Sequence, residues 1–186
     1  MRNIKLTIEY DGKEYNGWQK QPNKLNIQGE IERAIQNITG KQVELIGSGR
    51  TDAGVHAFGQ VANFKIDSDF PIEKMAIAIN SQLKKSIRIK KTEEVSQEFH
   101  SRYNCHSKTY QYVIDNSEQG SAIYRGLSYH VPQELYVEKM QKAKKNFLKR
   151  LGLLLLFIFV PLLVSFLIGE FSSTNSSLMY CIINGG

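Results

Sequence analysis

Cysteine is almost absent: the chain has two, Cys105 and Cys181. They lie too far apart for a CxxC pair and are too few for a disulfide framework, so a reduced, cytoplasmic setting is the expectation. Other absences narrow the chemistry. No HExxH or paired CxxC spacing organises the four histidines, so His56, His100 and His106 with Asp52 match no metal-ligand pattern and no metal is expected. There is no GxGxxG for a dinucleotide and no GxxxxGK[ST] opening a helix. The start, Met1-Arg2-Asn3-Ile4-Lys5-Leu6, lacks the apolar core of a secretory signal, and no export signal is expected. No internal repeat of fixed period is present.

What is present is positive charge. A formal net charge of +6 and a pI near 9.2 favour an anionic partner, either nucleic acid or an acidic membrane surface. Apolar residues are unevenly spread: residues 1–150 are polar and basic, whereas 151–168 run without a charge. Ile4, Leu6 and Ile8 alternate with Lys5, Thr7 and Glu9, which predicts a half-buried strand ending at the turn dipeptide Asp11-Gly12. Ile27, Ile31, Ala34, Ile35 and Ile38 recur at helical spacing, with Gly40 as a stop. Further strands are expected at Val43–Ile46, Gln60–Ile66, Ile87–Lys90 and Lys108–Ile114. A second helix is expected from Pro71 to Leu83, and a third from Pro132 through Phe147. This βαβ-β-αβ order resembles a ferredoxin-like split βαβ layer, an α+β class.

The densest chemistry lies in Gly47-Ser48-Gly49-Arg50-Thr51-Asp52-Ala53-Gly54-Val55-His56. Glycines let backbone turn sharply and approach a ligand, and an arginine two residues from an aspartate can hold that carboxylate ionised and aimed. A single carboxylate lacks the partner that glycosidase chemistry needs. A plain βα-turn with a surface ion pair has the same composition, so the loop alone does not decide.

Four other segments stand with it: Glu9-Tyr10-Asp11-Gly12, Tyr15-Asn16-Gly17-Trp18-Gln19-Lys20-Gln21, Phe99-His100-Ser101-Arg102, and Lys108-Thr109-Tyr110-Gln111-Tyr112. In this order and spacing, over roughly residues 3–147, the chain resembles the bacterial tRNA pseudouridine synthase A family. The resemblance implies isomerisation of uridine to pseudouridine at positions 38 to 40 of the tRNA anticodon stem-loop, by a homodimer needing no cofactor. Asp52 matches the family's catalytic aspartate, Arg50 the arginine that pairs with it, and Tyr110 the tyrosine that stacks on the target uracil. Arg102 and Lys20 are candidate phosphate contacts, and the cluster Lys84-Lys85, Arg88 and Lys90-Lys91 is a further basic patch. Each has a simpler reading: Trp18 as packing, His56 as a partner for loop backbone, one of Tyr110 and Tyr112 as core, and the surface cations as solvated.

The resemblance divides the chain into an N-terminal synthase domain over residues 1–104, the start of a second synthase domain over 105–147, and a tail over 148–186 that matches nothing in the family. Residues 151–168 are long and apolar enough to be a transmembrane candidate, and Lys144, Lys145, Lys149 and Arg150 precede them. The favoured reading of the tail is the product of a reading-frame shift near residues 146–150. On it the second half of the fold is incomplete, and the chain is a truncated synthase whose turnover and dimerisation are in doubt. The competing readings are a membrane-anchored fragment and an inactive RNA-binding remnant. Reading codons 144–186 in the other two frames tests this: family motifs are expected to reappear, and their absence would sink the frameshift.

Overall fold

In a computed structural model that describes residues 1–143 and 180–182, the alternating N-terminal run becomes β1 (Arg2–Tyr10), with Ile4, Leu6 and Ile8 fully buried. The helix expected next is α1 (Ile27–Thr39). The Asn26 side chain caps it by accepting from the Gly29 N–H, and Gly40 ends it in the left-handed region at φ 70°. Then follow β2 (Ile46–Gly47), β3 (Ala57–Ile66), α2 (Ile72–Gln82) and β4 (Ile87–Val95). These elements lie in one compact unit, Met1–Thr109.

The four strands form one sheet in the order β2-β3-β1-β4, with antiparallel pairing throughout. One face carries Ile4, Leu6, Ile8, Ala62, Phe64 and Ile66. With Ile31 and Ile35 of α1 and Met75 and Ile79 of α2, these residues make the buried core. Helix α2 packs on β4 and against α1. Period-2 alternation in the strands and helical spacing in α1 therefore serve a single core.

The opposite face is polar but not bare. Asn3 and Asn63 are buried there, and Asn63 donates to the Asn3 Oδ1 at 2.9 Å. The Asn3 amide donates to the carbonyls of Ser96 and Phe99 at 2.8 and 2.9 Å. The Asn63 Oδ1 accepts from both the N–H and the hydroxyl of Ser101, at 2.9 and 2.8 Å. Side-chain amides thus take the place of a second hydrophobic layer and fasten residues 96–101 to the sheet.

Three expected elements differ. The strand at Val43–Ile46 shrinks to the two residues of β2, because the Leu45 N–H goes to Glu32 Oε1 at 3.0 Å and its carbonyl accepts from Gln28 Nε2 at 3.1 Å. Side chains of α1 have taken the backbone groups that a ladder needs. The strand at Lys108–Ile114 divides into β5 (Thr109–Gln111) and β6 (Ile114–Asp115). There β6 pairs in parallel with β7 (Tyr129–His130), and the intervening Val113 is buried with its carbonyl accepting from the Tyr129 N–H at 2.8 Å. The helix expected from Pro132 begins only at residue 137. A last strand, β8, is Tyr180–Ile182.

A second unit begins at Tyr110. Within it, the buried Asp115 accepts from the Ser117 hydroxyl and N–H and from the Ser121 N–H, at 2.6, 3.1 and 2.6 Å. The Ser117 hydroxyl, then its N–H, hold that carboxyl below the usual aspartate range, with Ser121 and His130 adding to them. Among the described residues no helix is long and apolar enough to cross a membrane; the candidate at 151–168 lies outside the described residues.

The edge of β4 is set by charge. A hydrogen bond from Lys91 holds Glu93 below its ordinary range, helped by Lys5, and the Arg2 guanidinium does the same for Glu94. Depressed carboxylates stabilise the fold above their unfolded values, and that contribution disappears as the pH falls through the folded ones. Melting temperature is therefore expected to drop as the pH falls from about 5 to 3, less steeply in Glu94→Gln. Glu94 is exposed and Glu93 partly so, so the difference shrinks at high salt. Identical acid profiles for the two proteins would contradict this assignment.

Candidate active site

The loop from Gly47 to His56 leaves β2 and returns into β3, and its backbone is fixed at both ends. At the β2 end the Ser48 N–H donates to the Val61 carbonyl at 2.8 Å, and Gln60 Nε2 donates to the Gly49 carbonyl at 2.6 Å. In the middle, the Thr51 carbonyl accepts from the Trp18 N–H at 3.0 Å, and its hydroxyl is 2.8 Å from the Tyr10 hydroxyl. The pairing of β1 with β3 shifts register between Ile8 and Tyr10, where the Tyr10 hydroxyl meets the loop. Further on, the Gly54 N–H donates to the Tyr15 carbonyl at 3.3 Å, and the Val55 N–H to the Asp52 carbonyl at 3.2 Å.

The result is a buried Thr51 between two exposed side chains, Arg50 and Asp52. The aspartate is held by backbone bonds on either side while its carboxylate faces solvent, where a substrate can reach it. Among the described residues no ion pair joins Arg50 to Asp52. Arg50 instead lines a polar cleft of about 260 Å³ with Arg102, Trp18, Gln19, Gln28 and Glu44. Two arginines from distant parts of the sequence thus line one concavity.

The first and second motif segments form the cradle of this loop. A Cβ on Gly17, which has φ +85°, would lie 2.4 Å from the Thr51 carbonyl oxygen, and one on Gly12 would lie 1.9 Å from that of Val55. Only hydrogen fits at either point. Trp18 is 3% exposed, packs on Gly47 and lies 6.0 Å from the Tyr10 ring. Packing accounts for its position, and part of its surface lines the cleft. His56 is buried and its Nδ1 is 3.0 Å from the Asp11 carboxylate. The partner expected from loop backbone is therefore an aspartate side chain, which links the first motif to the end of the loop.

Lys20, a candidate phosphate contact, has its ammonium 3.0 Å from the nearly buried Glu32. Glu32 also accepts from Gln28 and from Leu45, so one carboxylate ties the second motif to the approach of β2. Arg102 is exposed; its N–H and that of Tyr103 donate to the His100 Nδ1 at 3.2 and 3.4 Å. The Asn3–Asn63–Ser101 network anchors the same turn. In the basic cluster, Lys90 pairs with Glu9 and Lys91 with Glu93, and Arg88 donates to the carbonyls of Lys84 and Ile87. Much of that patch is thus already engaged. Tyr110 is half-buried and Tyr112 is half-exposed; Val113 takes the buried place in that segment.

Several positioning residues carry only a faint signal in the sequence. Glu32 follows Ile31 on the buried side of α1, and Asn63 interrupts Val61-Ala62-Asn63-Phe64. A polar residue where periodicity calls for burial is that signal. Among the described residues no group of three His, Cys, Asp or Glu side chains is arranged to hold a metal.

Comparison with known proteins gives a consistent picture. The profile of a family described as tRNA pseudouridine synthase matches residues 6–104. The tRNA pseudouridine synthase A of Caldicellulosiruptor saccharolyticus is 55% identical over 148 residues, 80% of this chain and 61% of the relative. Those of Caldicellulosiruptor bescii and Acetivibrio thermocellus are 52% and 51% identical over the same shares. The chain thus spans about three-fifths of the length of these curated relatives.

Gly47→Ala tests the seat of Trp18. The added methyl would meet the indole at 2.6–2.9 Å, an overpacking that costs about 1–3 kcal/mol. The expected outcome is a lower melting temperature with a red-shifted emission from the single tryptophan. Unchanged emission would contradict this packing.

Proposed function

The chain belongs to the tRNA pseudouridine synthase family, and from that premise we propose that it isomerises uridine to pseudouridine in the tRNA anticodon stem-loop, at positions 38 to 40, with Asp52 as its catalytic carboxylate. The single observation that carries this reading is the presentation of Asp52. Its carboxylate is exposed on a loop whose neighbouring backbone is bonded to Trp18 and Tyr15.

The reaction breaks the bond from C1′ to N1 of the uracil and makes one from C1′ to C5, with the C5 proton leaving and N1 taking one up, so that product and substrate are isomers. The base must detach, rotate and reattach. An ionised Asp52 either attacks the sugar as a nucleophile or removes a sugar proton to give a glycal, and the residues present serve both routes. A fixed carboxylate costs little reorganisation as charge develops. The target base leaves its stack at a cost of a few kcal/mol, and an aromatic face can receive it. We assign that face to Tyr110, at about 1–3 kcal/mol per stacked base.

Arg50 and Arg102 share a cleft, which supports a role for both at the sugar-phosphate backbone around the target. Arg50 also stands two residues from Asp52, within the same rigid turn, as the partner that keeps the carboxylate charged once the site is covered by RNA and partly dehydrated. Lys20 joins them on exchanging Glu32 for a phosphate. The strand order β2-β3-β1-β4 and the two helical crossovers support reading residues 1–104 as the ferredoxin-like layer of a pseudouridine synthase. On this reading residues 105–147 open its second domain, and the homodimer is part of the same proposal.

The test is turnover on an anticodon stem-loop transcript. Pseudouridine formation is expected with the unsubstituted chain. In Asp52→Ala it is expected to fall by about a thousand-fold or more, while salt-sensitive binding of the transcript stays. Conversion that survives Asp52→Ala would overturn the role of Asp52. An unsubstituted chain that does not convert the transcript would overturn the turnover, with salt-sensitive binding alone marking an inactive RNA-binding remnant.

A further inference from the structure

Lys108 stands four residues past the synthase profile's last matched position, yet its side chain returns to the catalytic loop. It belongs to the same compact unit as the loop. A Cβ placed on Gly49 would lie 3.0 Å from the Lys108 Nζ, 3.3 Å from its Cε and 3.8 Å from its Cδ. The last part of the lysine stem therefore lies along the backbone of Gly49, with the ammonium beside the residue that precedes Arg50. Gly49 is itself held in place, since its carbonyl accepts from Gln60 at 2.6 Å.

Among the described residues no carboxylate lies within ion-pair distance of this ammonium. That sets Lys108 apart from Lys5, Lys20, Lys90 and Lys91, each of which has a glutamate. A half-buried lysine gives up part of its hydration, and an anion partner compensates for that loss. On either side of Gly49 along the loop, Gly47 and Arg50 line the cleft that Arg102 also lines. All three cations therefore border the four residues from Gly47 to Arg50, and the ligand that suits them is a polyanion with regularly spaced charges.

We propose that Lys108 is a substrate-contact residue whose ammonium, seated over Gly49, takes a backbone phosphate of the bound RNA beside Asp52. This rests on the reading of an RNA substrate given above. It also gives Gly49 a role distinct from turn-making. The φ of Gly49 lies outside the left-handed region, so its backbone accepts alanine. The atoms nearest an added methyl are the far end of a flexible side chain. Alanine at 49 therefore costs the fold little and displaces the ammonium from its seat.

The experiment is a double-substitution cycle on the full chain, read by binding of an anticodon stem-loop RNA across a salt series. Lys108→Ala is expected to weaken binding several-fold and to make the slope of log K against log salt shallower by about one. Gly49→Ala is expected to weaken it comparably, with melting temperature unchanged in both. Lys108→Arg should keep most of the affinity. The double variant should bind no worse than Lys108→Ala alone, because the methyl acts only through the lysine. Additive losses, or an unchanged salt slope in Lys108→Ala, would overturn the assignment while leaving the synthase reading intact. No binding by the unsubstituted chain would overturn both.

Discussion

The interaction on which the site depends is the tether at Thr51. Its carbonyl accepts from the Trp18 backbone and its hydroxyl meets that of Tyr10. These two contacts join the loop to the end of β1 and to the segment that follows it. A loop with three glycines would otherwise sample many conformations, at an entropic cost of about 1–2 kcal/mol per residue fixed. Burying Thr51 fixes the turn while leaving Arg50 and Asp52 outside. Rigidity beneath and exposure above are what a presented carboxylate needs.

The same logic repeats outward through buried polar groups. Glu32 takes the Leu45 N–H and the Lys20 ammonium, so α1 guides the chain into β2 without a long ladder. The Asn3–Asn63 pair fastens Ser101, so the face of the sheet opposite the helices carries the turn that presents Arg102. His56 meets Asp11 at the far end of the loop. Every one of the first four motif segments is therefore connected to the sheet or to another motif by named hydrogen bonds. Their spacing in the sequence reflects these connections as much as any chemistry at the surface.

How much of this was legible in the sequence varied with the kind of interaction. The apolar alternation of Ile4, Leu6 and Ile8 and the helical spacing from Ile27 to Ile38 located β1 and α1, because burial follows period. The loop was legible as a loop, and its likeness to a family marked Asp52. Val43–Ile46 was not legible, since its β-prone residues lost their backbone groups to Gln28 and Glu32. The break at Tyr112-Val113 was hidden for a related reason, because alternating aromatics look the same in one strand or two. The Arg50–Asp52 partnership rests on the family likeness and on proximity in sequence; among the described residues no ion pair joins the two, and Arg50 lines a cleft with Arg102. Long-range partners such as Asp11 with His56 leave no periodic trace at all.

The central claim is that the loop from Gly47 to His56 is a rigid platform held from below by the sheet and the Tyr15–Trp18 segment. Amide hydrogen exchange, resolved by residue, tests it most directly. The N–H groups of Trp18 and Ser48, bonded to Thr51 and Val61, should exchange only through the global opening that also releases β1 and β3. The Asp52 N–H, with its exposed side chain, should exchange far faster. Exchange of Trp18 and Ser48 at the rate of an exposed loop amide, with β1 and β3 still protected, would contradict the account.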